Sequence, residues 1–184
     1  TALRRQRQMC IRDRQEAISS LGPEANLALV LSTVFILVGF GYKISAVPFH
    51  FWTPDVYEGS PTAITAYLSV APKAAGFALI LRFFNQIFSE MPNGLSDPWI
   101  SVNNLPWPQL IAILSAATMT LGNLVAIQQS SVKRMLAYSS IAHAGYMMMA
   151  LPLMSTSSIE GIMMYLTMYL FMNLGAFFVV IYIK

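Results

Sequence analysis

KISAVPFHFWTPDVYEGSPT, residues 43 to 62, is the stretch on which the reading of this chain turns. It lies inside a long apolar run, yet it holds Lys43, His50, Asp55 and Glu58 together with Pro48, Pro54 and Pro61. An ionisable side chain at membrane depth is costly, so it is kept where it faces a protein-lined, hydrated interior. Proline inside a membrane helix frees backbone carbonyls and bends or breaks the segment, which is tolerated only where other protein or water satisfies those groups. The stretch therefore reads as a broken membrane helix built around a lysine.

Composition agrees with that reading. Hydrophobic residues make up 56% of the 184 residues and charged residues 10%, against about 25% charged in an ordinary soluble domain. Residues 99 to 132, 135 to 159 and 161 to 183 contain no Asp, Glu, Lys or Arg, and each run reaches or exceeds the roughly 20 residues a helix needs to cross a bilayer. The alternative is a few all-round hydrophobic helices buried in a larger soluble protein. The formal charge of +3 does not imply a nucleic-acid partner, because the basic residues form no patch interleaved with aromatics.

Five of the eleven basic residues precede Gln15. That arm, TALRRQRQMCIRDR, holds the single cysteine, Cys10, so neither a disulfide nor a metal-site spacing is available. Its MCIRDR piece resembles a translated sequencing adapter, so residues 1 to 14 are set aside as a cloning or assembly scar. The alternative is a genuine basic arm at the membrane surface. Residues 15 to 184 then form one all-α transmembrane domain of about five helices.

The expected helices cover residues 25 to 53 (broken near Pro48), 62 to 84, 109 to 128, 135 to 151 and 159 to 183. Trp52 and Tyr57 suit an interfacial aromatic position, residues 55 to 60 read as a loop, and residues 130 to 134 as a tight basic turn. Residues 85 to 108, with Trp99 and Trp107, read as a polar connection along the membrane surface. The pair Gly122-Asn123 suits close packing against a neighbour. Counting crossings, residues 55 to 60, residues 129 to 134 and Lys184 share one face, which the positive-inside bias makes cytoplasmic. The N-terminal arginines would lie on the other face, a second reason to set them aside.

Three titratable side chains fall near mid-depth: Lys43, Lys73 and His143. Burial disfavours the charged form of an amine, so a membrane-buried lysine can exchange protons near neutral pH, and histidine titrates there already. Facing one another through water, such groups form a relay. The alternatives are plain: a lysine paired with a carboxylate or a helix C-terminus, and His143 bonded to a backbone carbonyl as packing glue. Pro48, His50, Pro54, Asp55 and Glu58 are gate or structural positions, Asp55 and Glu58 being solvated loop carboxylates or helix caps. Two histidines and one doubtful cysteine assemble no metal site, and no phosphate loop, haem motif or cysteine cluster is present.

KISAVPFHFWTPDVYEGSPT, then SVAPKAAGF around Lys73, then GNLVAIQQSSVKRMLAYSSIAHAGY closely resemble the subunit N family of the bacterial proton-pumping NADH:quinone oxidoreductase, respiratory complex I. Mitochondrial subunit 2 and its plastid counterpart are similar, and subunits L and M and the multi-subunit sodium/proton antiporters share part of the pattern. The resemblance implies a fragment, helices seven to eleven of an antiporter-like fold of about fourteen helices built on inverted repeats. It implies Lys43 as the lysine of the broken seventh helix, Lys73 as the linking lysine of the eighth and His143 as a histidine of the tenth, with the partner glutamate of the fifth helix outside this chain. It also implies a multi-pass subunit of the bacterial inner membrane whose partners are the other membrane-arm subunits and the lipid bilayer. No cofactor is expected in this chain, with NADH, FMN, iron–sulfur clusters and quinone bound by other subunits. The competing readings are a subunit of a sodium/proton antiporter and a scaffold in which the lysines merely pair.

Overall fold

The computed structural model describes residues 13, 26 to 87, 89 to 90, 100 to 101, 106 to 153 and 155 to 183. Expectations for the N-terminal arm and for most of the 88 to 105 connection lie outside the described residues. Among the described residues six α-helices carry the architecture: α1 Asn26–Ile44, α2 Trp52–Gly59, α3 Thr62–Ile87, α4 Trp107–Ile127, α5 Val132–Met148 and α6 Thr156–Ile183. A two-residue antiparallel pair, β1 Ser89–Glu90 with β2 Ile100–Ser101, follows α3.

Besides an apolar core, the bundle exposes large apolar side chains and buries polar ones. Phe35, Phe51, Tyr67, Phe171 and Tyr182 are exposed, whereas Lys73, Ser69, Thr65, Ser115, Thr118, Ser140 and Asn173 are buried. Apolar side chains can face outward at low cost only where the solvent is itself apolar, and every polar group must then be satisfied inside. Among the described residues, α1, α3, α4 and α6 are long and apolar enough to span a bilayer. The fifth expected span, α5, has 17 residues, or about 25 Å of helix. It is also deeply enclosed, with Ala137, Ser140, Ile141, Ala142, Ala144, Gly145, Met147 and Met148 all buried.

Close backbone approach seats α5. A Cβ on Gly122 would lie 2.7 Å from the Ala142 nitrogen, and one on Gly145 would lie 2.8 Å from the Met119 nitrogen. Larger residues would hold the two backbones apart, so α4 and α5 meet where glycine permits it. Ser115 Oγ donates to the Gly145 carbonyl across the same crossing (2.9 Å). The close packing expected at Gly122 is therefore present.

Several expected boundaries differ. Residues 55 to 59 are helical in α2 and not a loop, because Pro54 falls in the first turn, where its missing N–H leaves no helical bond unmade. α5 begins at Val132, so Lys133 and Arg134 stand in its first turn and not in a turn before it. Tyr57 is 1% exposed and packs edge-on to Phe177, so it is no interfacial aromatic. Trp107 opens α4 and is stacked on Phe84 at 4.6 Å, buried instead of lying along the surface.

Candidate functional site

α1 ends at Ile44, and Ser45 adopts a left-handed conformation (φ 65°) ahead of the cis Val47–Pro48 bond. The polar groups released by this break find partners within the protein. The Ala46 N–H donates to the Gly41 carbonyl (2.8 Å) and the Val47 N–H to Thr118 Oγ1 on α4 (3.1 Å). From α2, Thr53 Oγ1 donates to Ser45 Oγ (2.6 Å) and Trp52 Nε1 to the Tyr42 carbonyl (3.1 Å). The expected broken helix is present, with Pro48 exposed at the break and Pro54 buried in α2.

Lys73 occupies the centre of the bundle at 2% exposure, on α3 directly after Pro72. Its Nζ donates to the carbonyl and to the hydroxyl of Ser140 on α5, the latter at 2.9 Å. Ser140 Oγ in turn lies 3.3 Å from Tyr57 Oη on α2. From α6, Tyr169 Oη donates to the Ser69 carbonyl one turn before Lys73 (3.2 Å). Neither Lys43 nor Lys73 forms an ion pair among the described residues. The acceptors of Lys73 are thus neutral, which leaves its amine free to hold or release a proton without abandoning a buried counter-charge.

Lys43 is placed differently. Its stem lies against Gly76, three residues beyond Lys73 on α3, where an added Cβ would meet Lys43 Cγ at 3.6 Å and Ile44 Cγ2 at 2.7 Å. The side chain itself is exposed, in a groove of about 380 Å³ lined by Ile36, Gly39, Phe40, Ala75 and Leu79. The two lysines therefore flank the same turn of α3, Lys73 within its buried face and Lys43 in the open apolar groove over Ala75, Gly76 and Leu79.

His143 is half-buried on α5, with Nδ1 2.6 Å from Tyr165 Oη on α6. The rings of Tyr146, Tyr165 and Tyr169 surround it, and a cavity of about 190 Å³ opens beside it between Tyr165, Met168 and Met172. Its recorded partner is a side-chain phenol, where the packing alternative expected a backbone carbonyl. His50 is buried between Phe51 and Tyr138, and its Nδ1 has no hydrogen-bond partner among the described residues.

Asp55 and Glu58 share one face of α2 and converge on one guanidinium. Arg134 Nη1 lies 3.3 Å from Asp55 and 3.0 Å from Glu58, while Lys133 Nζ donates to the Ser60 carbonyl at 2.8 Å. This places residues 55 to 60 and 133 to 134 at the same end of the bundle. Ser140, Tyr57, Tyr165 and Arg134 are the site residues that the sequence reading missed. Hydroxyls in apolar runs look like ordinary helix residues, and the one available signal was the Ser139-Ser140 pair three to four residues ahead of His143. No group of three or more His, Cys, Asp or Glu side chains that could hold a metal occurs among the described residues.

The family model described as NADH:quinone oxidoreductase/Mrp antiporter, transmembrane, matches residues 15 to 184. NADH-quinone oxidoreductase subunit N 2 of Sorangium cellulosum is 56% identical over 150 residues, covering 82% of this chain and 28% of that protein. Subunit N of Anaeromyxobacter is 51% identical over 155 residues, covering 84% of this chain and 30% of its own length. The chain thus spans less than a third of these relatives. A chain of respiratory complex I from Thermus thermophilus superimposes with a TM-score of 0.65 at 34% identity, over 94% of this chain and 38% of that one. An archaeal membrane-bound sulfane sulfur reductase shares the fold, with a TM-score of 0.68 at 21% identity over 89% of this chain and 31% of its own. On the strength of a match that runs through the broken helix, both lysines and His143, the chain belongs to the NADH:quinone oxidoreductase/Mrp antiporter transmembrane family.

Proposed function

We propose that this chain is part of the proton-translocating membrane arm of an NADH:quinone oxidoreductase, in which quinone reduction elsewhere in the complex drives proton transfer through Lys43 and Lys73. The observation that carries this reading is Lys73, a fully enclosed amine whose acceptors are a hydroxyl and a carbonyl and not a carboxylate. A cation kept only for scaffolding is most cheaply buried beside an anion. A cation that must lose and regain its proton is better served by neutral partners that accept from either form.

In this reading Lys43 faces a carboxylate-bearing helix of the complete protein, and its change of charge state alters the proton affinity of Lys73 across Gly76. Electrostatic coupling of this kind is strong where little water screens it. His143 with Tyr165 is a further titratable pair along α5, and His50 with the α2 carboxylates forms the gate at the helix break. NADH, FMN, iron–sulfur clusters and quinone belong to other subunits. The complex lies in the bacterial inner membrane, with the end bearing Arg134 in the cytoplasm.

The test is Lys73→Ala and, separately, Lys43→Ala in the intact complex, with proton uptake measured in inside-out vesicles. Loss of pumping together with loss of coupled quinone reduction is the expected outcome. Unchanged proton translocation would leave the lysines as scaffold. The family description also names the Mrp antiporters, which favours a second reading as a subunit of a sodium/proton antiporter. Co-purification with NADH-oxidising flavin and iron–sulfur proteins selects the first, and sodium-driven proton flux without them selects the second.

A further inference from the structure

α2 is an eight-residue helix held to α5 at two levels. At its outer edge Asp55 and Glu58 reach Arg134. Six residues deeper along α5, Ser140 Oγ meets the phenol of Tyr57, and Ser140 is the residue on which the Lys73 amine rests. Tyr57 is 1% exposed and Ser140 1% exposed, so the three polar groups form an unbroken buried line from mid-bundle to the helix whose other face carries the ion pairs. The Ser140 hydroxyl could have bonded to the backbone of its own helix alone. Ser140 does also reach the Ala137 carbonyl (2.9 Å), but Tyr57 Oη is turned inward toward the lysine's partner.

We propose that Ser140 and Tyr57 form the hydroxyl connection through which Lys73 exchanges protons with the end of the bundle that bears Arg134. This rests on the assignment of Lys73 to proton transfer. In the outward step the ammonium gives a proton from Nζ to Ser140 Oγ as that hydroxyl passes its own proton to Tyr57 Oη. With Oη enclosed, the phenol passes its proton to a water molecule that enters between α2 and α5 from the Arg134 end. Lys73 becomes a neutral amine, the water becomes hydronium, and both hydroxyls are left intact but turned, so they rotate back before the next proton moves. The Arg134 ion pairs position α2, and with it Tyr57, for this transfer.

The experiment compares Tyr57→Phe, Ser140→Ala and Ser140→Thr with the wild-type sequence in the intact complex, measuring the rate of NADH-driven proton uptake in inside-out vesicles and the amount of assembled complex. Tyr57→Phe keeps the ring that packs on Phe177, and Ser140→Ala keeps the backbone carbonyl that accepts from Lys73. Both are expected to assemble and to slow that uptake roughly tenfold, the rate equivalent of one lost hydrogen-bonded partner. Ser140→Thr, which retains a hydroxyl at that position, is expected to restore most of it. Equal rates in all three variants and the wild type would overturn the proposal, as would Ala and Thr failing alike. Lys73→Ala runs alongside as the reference. If it pumps normally, the assignment of Lys73 itself fails; if it abolishes pumping while Tyr57→Phe and Ser140→Ala do not, only the hydroxyl connection fails.

Discussion

Lys43 on α1 and Lys73 on α3 flank the same turn of α3 and could hardly be housed more differently. Lys73 is enclosed by α2, α3, α5 and α6 and rests on Ser140. Lys43 protrudes from the last turn of α1 into an apolar groove, with a glycine beneath its stem and no ion pair among the described residues. The difference teaches that a lysine in an apolar run is not one kind of object. Lys73 has its surroundings inside this chain, whereas in the function proposed above the surroundings of Lys43 come from another helix of the complete protein.

The contrast can be broken most sharply by reactivity. In the chain purified in detergent, an amine-directed reagent followed by mass spectrometry is expected to modify Lys43 roughly a hundredfold faster than Lys73, given an opening cost of about 3 kcal/mol for a fully enclosed site. Equal rates would mean that the Lys73 enclosure is not stable. Gly122→Val tests what holds that enclosure shut. Its side chain meets the Ala142 backbone, and overpacking of this sort costs about 1 to 3 kcal/mol, read as a lowered unfolding midpoint and faster labelling of Lys73 with Lys43 unchanged. Tyr165→Phe removes the phenol from His143 and is expected to cost about 1 kcal/mol, again without effect on Lys43. Arg134→Gln is the mildest. Its ion pairs with Asp55 and Glu58 are partly exposed, so the loss should be small, and it should vanish in high salt because the wild-type pairs are screened there.

The sequence carried the coarse fold plainly, because charge-free runs of twenty or more residues and a proline-broken lysine segment have few other readings. It was less informative at the edges of that segment. Residues 55 to 60, DVYEGS, follow Pro54 and hold a glycine and two carboxylates, so they read as a loop; tertiary contacts through Arg134, Lys133 and Phe177 place residues 55 to 59 in α2. Lys73 stood out by its charge. Ser140 did not, since a hydroxyl in an apolar helix is common, and the contact joins residues 67 positions apart in the chain. Tyr57 was misplaced for a related reason: the amphipathic ring that suits a membrane interface also suits a buried hydrogen bond to another helix.

The central claim is that Lys73 works by releasing its proton and not by carrying a fixed charge. Arginine keeps a positive charge and a long stem at the same site but does not deprotonate in proteins. The most direct measurement is therefore the rate of NADH-driven proton translocation by intact complex bearing Lys73→Arg. Assembly with that rate reduced to near zero is predicted, and a rate equal to that of the unaltered complex would contradict the account.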